Sequence, residues 1–592
     1  MNKTNIGIHP KTSGPSGILN RQMLKRFALP VAILLLALLT NLSVIGQNSG
    51  FKVRALWVDP TGFGTAKAVD QMIDKCQRAG INTILPDIMI GENIYFKSSH
   101  FLGNVLANRE FDPLGYMVKK AHAAGIKVQA WSCVYYGKPK NPEWVSKSFD
   151  RNIQAQTFLS PAHPEVNPYL LSVIKDLLAY DIDGIHLDYT RYCNAAFDYS
   201  DAARKGCEAE LGFDPLNFLD HPELIVPAKK DVFPIRVLHP KTQIEKVWEI
   251  GAVERNLNRT GTGYAFVSES PQNIDALSAP GLLIISHYSD VSSEMSMAIK
   301  RYVRRGGNIL WIELSNTTLE KNPEIQKLTG LSGAKWLPLG RVSLQKSGSH
   351  PLLHLIPKGS FNTSGSVPQV ATAMVIARLS NGEPAITINK VGKSKVMVMG
   401  FRAMESNSDS TILLLKGIMD WYRTEAGVKS PDLLAEKREQ WSKWRNEKVF
   451  NLVRDINTAV KDKNPKLVVT SSAGVGPQQY YGCYRDGSQW LTENINDCLF
   501  PMNYTTDPSE LEDMLQEQVS RTPQGMSGRI FPGLQMYPGK NKVVKSLDAD
   551  IVEKQILLVQ KYGYNGFCLF AYNNLSEELI EMVKKFNPGN EQ

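Results

Sequence analysis

Asp181-Ile-Asp-Gly-Ile-His-Leu-Asp-Tyr-Thr-Arg-Tyr192 is the stretch on which the fold reading turns. Ile185 and Leu187 alternate with His186 and Asp188, the period of a short strand with two polar side chains on one face. A helix across 166–180 precedes it, so the strand arrives by a crossover rather than a hairpin. A carboxylate at the C-terminal end of a strand in an alternating β/α chain lies where barrel enzymes keep their chemistry. The competing reading is a core carboxylate paired to Arg191.

The same rhythm runs outward in both directions. Toward the N-terminus, strands are predicted at 54–60, 81–89 and 126–134. The helices between them, 66–79 and 113–124, stop at Gly80 and Gly125, residues suited to a left-handed helix end. Residues 195–231 read as a long connecting loop. The rhythm resumes with an amphipathic helix over 441–460 and strands at 466–472, 497–504, 529–537 and 563–572. Four strands before the interruption and four after make a (β/α)₈ barrel. A doubly wound open sheet would instead need a glycine-rich phosphate turn after the first strand, and Asp59-Pro-Thr-Gly-Phe-Gly64 fits that poorly.

Between the halves lies a different α/β pattern. Strands are predicted at 234–238, 263–268, 281–287 and 306–314, then a mixed β region to about Arg402 and a helix around 412–423. The expected organisation is a leader over 1–46, a first barrel half over 47–231, an inserted domain over 232–427 and a second barrel half over 428–592.

Composition supports a globular, exported protein. The 592 residues are 43% hydrophobic and 21% charged, the balance of folded domains. Residues 1–46 hold five of the basic residues and no acid, which leaves about +4 of the formal +9 for the remainder. That charge argues for neither nucleic acid nor a strongly acidic partner. Lys25 and Arg26 precede an apolar run from Phe27 to Leu39, the pattern of a secretory signal peptide. An uncleaved anchor is the alternative. Seven cysteines are too few for a disulfide framework. Cys193 and Cys207 are near enough in sequence to pair, and no pair has zinc-ligand spacing. Neither a metal motif nor a phosphate loop is present, so no cofactor is implied.

Several stretches resemble the glycosyl-hydrolase-like family 10 proteins. RALWVD (54–59) resembles that family's first strand, GENIYFKS (91–98) its second-strand loop, and AHAAGIKVQAW (121–131) its third unit. NPEWV (141–145) resembles the loop after that unit. The long run from Phe158 to Tyr192 is similar throughout, although relatives more often have Asp where Ser160 stands. WSKWRNEKVFNLV (441–453), PMNY (501–504) and GFCLFAY (566–572) resemble later units. The resemblance implies hydrolysis of glycosidic bonds in a polysaccharide, with a cell-wall glycan among the candidate substrates. LIISHYSD (283–290) and the run from Ala298 to Asn316 resemble the flavodoxin-like, class I amidotransferase-like domain that accompanies some glycosidases. No cysteine lies within 208–482, so amide chemistry through a thiol is not expected there. Packing, ligand contact or a homo-oligomer contact is the expected role.

Carboxylate-catalysed glycoside hydrolysis needs one group to protonate the leaving oxygen and another to attack or to activate water. Asp188 is the central candidate, with Arg191 expected to hold it ionised. No acid stands at the tips of strands five to eight, so its partner is sought in the first half. Glu92, at the family's acidic position, is favoured. Asp87 stands where relatives more often carry Gln, and Asp59 follows the first strand. A substrate-assisted route is a further alternative. Trp57, Trp131, Tyr189, Tyr504 and Tyr537 are expected to stack on sugar rings. His186, Arg191, Asp59, Asn503 and Gln535 are expected as further substrate contacts. The alternative function is a non-catalytic glycan-binding or envelope scaffold on the same barrel.

Overall fold

Alternation of side chains dictates the first strand, β1 (Val53–Val58), in which Ala55 and Trp57 share one face. The computed structural model describes residues 51–587 apart from 139–140, 150–153, 228–232, 241–245, 287–290, 405–407, 429–431 and 540–545. The expected leader, the boundary at 231/232 and His287 lie outside the described residues. Phe51 packs against Phe586 with ring centroids 6.1 Å apart. Residues Lys52–Lys585 form a separate compact unit, which holds every strand and every candidate site residue.

Thr65 caps helix α1 (Ala66–Ala79) by accepting the Ala68 N–H, and Gly80 ends it at φ 71°. Val69, Met72, Ile73 and Cys76 form its buried stripe. Then come β2 (Thr83–Ile90), α2 (Pro113–Ala123), β3 (Lys127–Cys133), α3 (Val166–Leu177) and β4 (Gly184–Asp188). All four strands pair in parallel, in chain order. The expected 195–231 loop instead contains α4 (Asp201–Leu211), capped by Ser200 and closed by Gly212 in the left-handed region. Only Ala203 and Cys207 of that helix are buried, so its apolar stripe is too thin to show in the sequence. Cys193 and Cys207 do not pair; all seven cysteines are free thiols.

A second sheet is built wholly from residues 235–399. It begins with β5 (Ile235–His239), α5 (Val247–Thr260), β6 (Ala265–Ser268), β7 (Leu282–Ile285) and β8 (Asn308–Ile312). It continues through β9 (Leu331–Lys346), β10 (Ser360–Val370), β11 (Met374–Leu379), β12 (Pro384–Val391) and β13 (Ser394–Met399). Its parallel part is ordered β6-β5-β7-β8-β13, and the other four strands add on antiparallel ladders.

The chain returns to the first sheet through α6 (Leu433–Lys463), longer than the predicted 441–460 because Asp432 caps it earlier. There follow β14 (Val468–Ser471), β15 (Cys498–Leu499), α7 (Pro508–Arg521), β16 (Gly533–Gln535), α8 (Ala549–Lys561), β17 (Gly566–Phe570) and α9 (Glu577–Lys584). β14 pairs with β4 and with β15, and β17 lies between β16 and β1. The remaining gap, from β15 to β16, is spanned by parallel bridges Leu499–Ile530 and Met502–Gly533. The eight strands therefore form a ring in chain order. The predicted 497–504 strand is shorter than expected, because Pro501 has no N–H to give a ladder.

The second sheet joins the first through a buried charge cluster. Glu254 on α5 accepts from Tyr199 at 3.1 Å and faces Arg438 at 3.5 Å and Arg445 at 3.9 Å, both on α6. Arg438 lies 3.6 Å from the Tyr264 ring centroid, and Arg445 3.6 Å from that of Tyr484. Arg445 also donates to the Phe197 carbonyl at 2.8 Å. Burial raises the Glu254 carboxyl, while Arg445 and Arg438 pull it back. Removing one partner of a buried ionic cluster leaves the rest uncompensated. Glu254→Ala is expected to lower stability by about 3–5 kcal/mol, read from urea unfolding.

Candidate active site

The inner faces of the ring decide what the strands can present at their C-terminal ends. Ala55, Trp57, Leu85, Trp131, Cys133, Phe500, Phe531 and Cys568 fill the interior as one apolar cluster. His186 lies among them, fully buried. Trp57 Nε1 donates to His186 Nε2 at 3.2 Å, and His186 Nδ1 meets Thr470 Oγ1 at 3.0 Å. Thr470 in turn donates to Gln129 Oε1 at 2.7 Å, so the network places the imidazole proton on Nδ1. Both nitrogens are taken inside the ring. His186 and Trp57, expected as substrate contacts, thus lie buried in the interior with their polar atoms hydrogen-bonded there.

Above this layer stand two carboxylates. Asp188 ends β4 opposite Cys133, and Asp87 lies opposite Trp131. They are 3% and 2% exposed, so each has lost nearly all of its hydration. Asp188 Oδ1 accepts from Ser472 Oγ at 2.5 Å and from the Tyr189 N–H at 2.6 Å. Tyr189 has φ 48°, a left-handed conformation that costs a non-glycine residue about 1–3 kcal/mol. That turn aims the Tyr189 amide back at the carboxylate. Asp87 has a weaker donor, the Cys133 thiol at 3.5 Å. Burial pushes the Asp87 carboxyl well above the usual carboxylate range, and the nearby charges of Asp188 and Asp59 push it the same way. Asp59 accepts from the Thr61 N–H at 3.0 Å and from the Thr61 hydroxyl, and its Oδ2 is buried with no donor among the described residues.

Arg191 does not take the place expected of it. Its guanidinium donates to the carbonyls of Tyr192 (3.0 Å) and Cys193 (2.8 Å) and lies over the rings of Phe158 and Tyr189. The cation linked to the Asp188 donors is Arg485, whose Nη1 donates to Ser472 Oγ at 3.5 Å and Nη2 to the Ser472 carbonyl at 3.4 Å.

Aromatic residues form the mouth. Tyr504 lies 5.0 Å from Phe570 and 6.4 Å from Tyr537, and Tyr136 lies 4.7 Å from Tyr189. These rings are partly exposed or rim the interior, whereas Trp131 is 6% exposed and edge-on to Trp57. Gln535 Nε2 donates to the Tyr537 carbonyl at 2.7 Å, and Asn503 Oδ1 is buried without a donor among the described residues.

Glu92 lies apart from the carboxylate pair in its surroundings. It is exposed, on the rim of a cleft of about 160 Å³ that Tyr136, Asn104, Phe101 and Trp144 also line. A Cβ on Gly137 would come within 2.7 Å of the Gly91 carbonyl, so glycine lets the two loops meet beside Glu92. A larger cleft of about 650 Å³, between the 143–167 segment, α4 and α6, is lined by none of the candidate site residues.

The segment carrying both carboxylates and Glu92 also decides the relationship to known proteins. Residues 52–221 match the Glycosyl hydrolase-like 10 family. The chain is 27% identical over 172 residues to "Glycosyl hydrolase DigH" of Escherichia coli K12, covering 24% of this chain and 38% of that protein. It is 23% identical over 158 residues to "Glycosyl hydrolase YngK" of Bacillus subtilis 168, covering 23% of this chain and 30% of that protein. The chain thus matches well under half the length of these relatives. The glycoside hydrolase domain of PgaB (BpsB) from Bordetella bronchiseptica aligns over 90% of this chain and 98% of its own, at 12% identity and TM-score 0.45. Ser472, Arg485, Tyr504 and Phe570 lie beyond the Glycosyl hydrolase-like 10 match.

Cys133, Tyr136, Phe570 and Arg485 were not candidates on sequence grounds. Cys133 carried a readable signal, since it alternates with Trp131 on one strand face. Arg485 carried none; a short helix over Pro477–Cys483 and a left-handed Tyr484 (φ 54°) deliver it.

Burial of these groups gives stability a pH dependence of known sign. The unfolded state holds His186 near 6.5, and burial pushes the folded ring down to about 3. Between those values the unfolded chain binds the extra proton, so stability falls as pH drops through 6.5 toward 3. Asp87 acts oppositely: its raised carboxyl keeps a proton the unfolded chain releases, so its contribution is lost as pH rises above about 4. Asp87→Asn is expected to raise stability at pH 7 by about 1–2 kcal/mol and to flatten that slope, measured by thermal melting across pH.

Proposed function

We propose that the protein is an exported glycoside hydrolase that cleaves glycosidic bonds in a polysaccharide, with Asp188 and Asp87 as its carboxylate pair. The observation that carries this reading is the unequal environment of the two groups. Asp188 receives an O–H and an N–H donor on one oxygen. Asp87 is buried, has a thiol for its donor and faces two other carboxylates, which favours the protonated form. Two carboxyl groups in unequal surroundings suit the two separate roles that glycoside hydrolysis needs. Asp87 donates its proton to the leaving oxygen, and Asp188 attacks the anomeric carbon or takes the proton of an attacking water. Tyr504, Tyr537, Tyr136 and Tyr189 offer ring faces for sugars at the mouth. Glu92, favoured on sequence grounds as the acid, becomes in this reading a substrate-contacting residue at the neighbouring cleft.

The second sheet has the order second-first-third-fourth-fifth in its parallel part, that of flavodoxin-like folds. We therefore assign the inserted domain to that class, on a (β/α)₈ barrel interrupted after its fourth strand. Where a nucleophile elbow would stand, Glu313 follows β8 with φ 56° and pairs with Arg402 at 2.6 Å. A carboxylate tied to a guanidinium there supplies no thiol nucleophile, so the domain is assigned a packing role.

The test is release of new reducing ends from cell-wall glycan strands and from neutral polysaccharides by the full-length chain. Asp188→Asn and Asp87→Asn are each expected to lose about 10²–10⁴-fold in kcat, while Glu92→Gln chiefly raises KM. Undiminished cleavage by Asp188→Asn would sink the assignment. Glycan binding without cleavage across the whole panel would favour the scaffold reading.

A further inference from the structure

Arg485 is a buried guanidinium, 6% exposed, in no ion pair with a carboxylate among the described residues. Its Nε donates to Gln479 Oε1 at 2.7 Å, and its two terminal nitrogens go to the hydroxyl and carbonyl of Ser472. Burial lowers its affinity for a proton, and the Asp188 charge acts in the opposite direction. A buried cation without a paired anion is costly, so its retention behind one particular hydroxyl calls for a role. That hydroxyl has one proton to give and gives it to Asp188 Oδ1. Arg485 Nη1 faces the acceptor side of the Ser472 hydroxyl, which favours turning its O–H toward the carboxylate.

We propose that Ser472 and Arg485 form a positioning relay that locks Asp188 Oδ1, so that Oδ2 is the oxygen turned to the reacting atoms. No donor to Oδ2 is present among the described residues, and that atom is not among the fully buried unpartnered ones. The other groups facing Asp188 are Asp87 from β2, Cys133 from β3, Tyr189 beyond β4, Arg485 and Tyr504 beyond β15. Arg191 is committed to carbonyls and ring faces. Cys133 gives its hydrogen bond to Asp87. Ser472 and the Tyr189 amide therefore share the task of orienting Asp188, and Arg485 fixes the first of them.

The relay rests on the glycosidase reading for its consequence in rate but not for its geometry, and two readouts separate these. The Tyr189 amide proton, resolved by selective ¹⁵N-tyrosine labelling, reports the hydrogen bond to Asp188 Oδ1 directly. Ser472→Ala and Arg485→Gln are expected to shift that resonance, whereas Ser472→Thr and Arg485→Lys keep it near its parent position. On a glycan that the parent chain cleaves, kcat is expected to fall about 10²-fold in the first pair with KM close to the parent's, and to recover in the second. An unmoved Tyr189 resonance in both Ser472→Ala and Arg485→Gln overturns the relay. So does a moved resonance with parent-level kcat. If no glycan is cleaved by the parent, the glycosidase reading fails while the amide resonance still decides the geometry.

Discussion

Two carboxylates that share the inner face of a parallel sheet set the terms for everything around them. Water would ordinarily shield Asp87 from Asp188, but both have been withdrawn from it, so their repulsion acts through a medium of low polarisability. The protein answers with asymmetry rather than with a neutralising ion pair. One carboxylate receives strong donors from Ser472 and the Tyr189 backbone, the other a thiol. Burial, with the neighbouring charges of Asp188 and Asp59, then pushes the Asp87 carboxyl well up.

The layer beneath closes on itself. His186 carries both of its hydrogen bonds sideways within the ring, to Trp57 and Thr470, and burial keeps it uncharged. The aromatic cluster around Trp57 likewise leaves little room for water to enter from below.

Much of this was legible in the sequence where a local pattern carries the information. The alternation of Ile185, His186, Leu187 and Asp188 was enough to orient β4, and Thr65 and Gly80 marked both ends of α1. The acid candidates were readable as residue types. Their surroundings were not, because the burial and charge repulsion that set Asp87 apart from Glu92 are properties of strands brought together from distant segments. Arg485 lies farther still from local inference, since a bend at Tyr484 brings it behind Ser472. The α4 helix was missed for the opposite reason: it buries too little for periodicity to show, and only its caps announced it.

The cluster of Glu254, Arg438 and Arg445 bears on how such a chain can be taken apart. The long α6 helix gives its guanidinium groups to a carboxylate that belongs to the second sheet, and they rest on rings from both sides of the junction. Deleting the intervening sheet would therefore strip a returning barrel helix of its counter-charge and bare the aromatic faces against which it packs. The second sheet is not a passenger on a loop. Recombination that moved the first sheet without the second would have to redesign α6 at the same stroke, so the two sheets form a single unit of exchange.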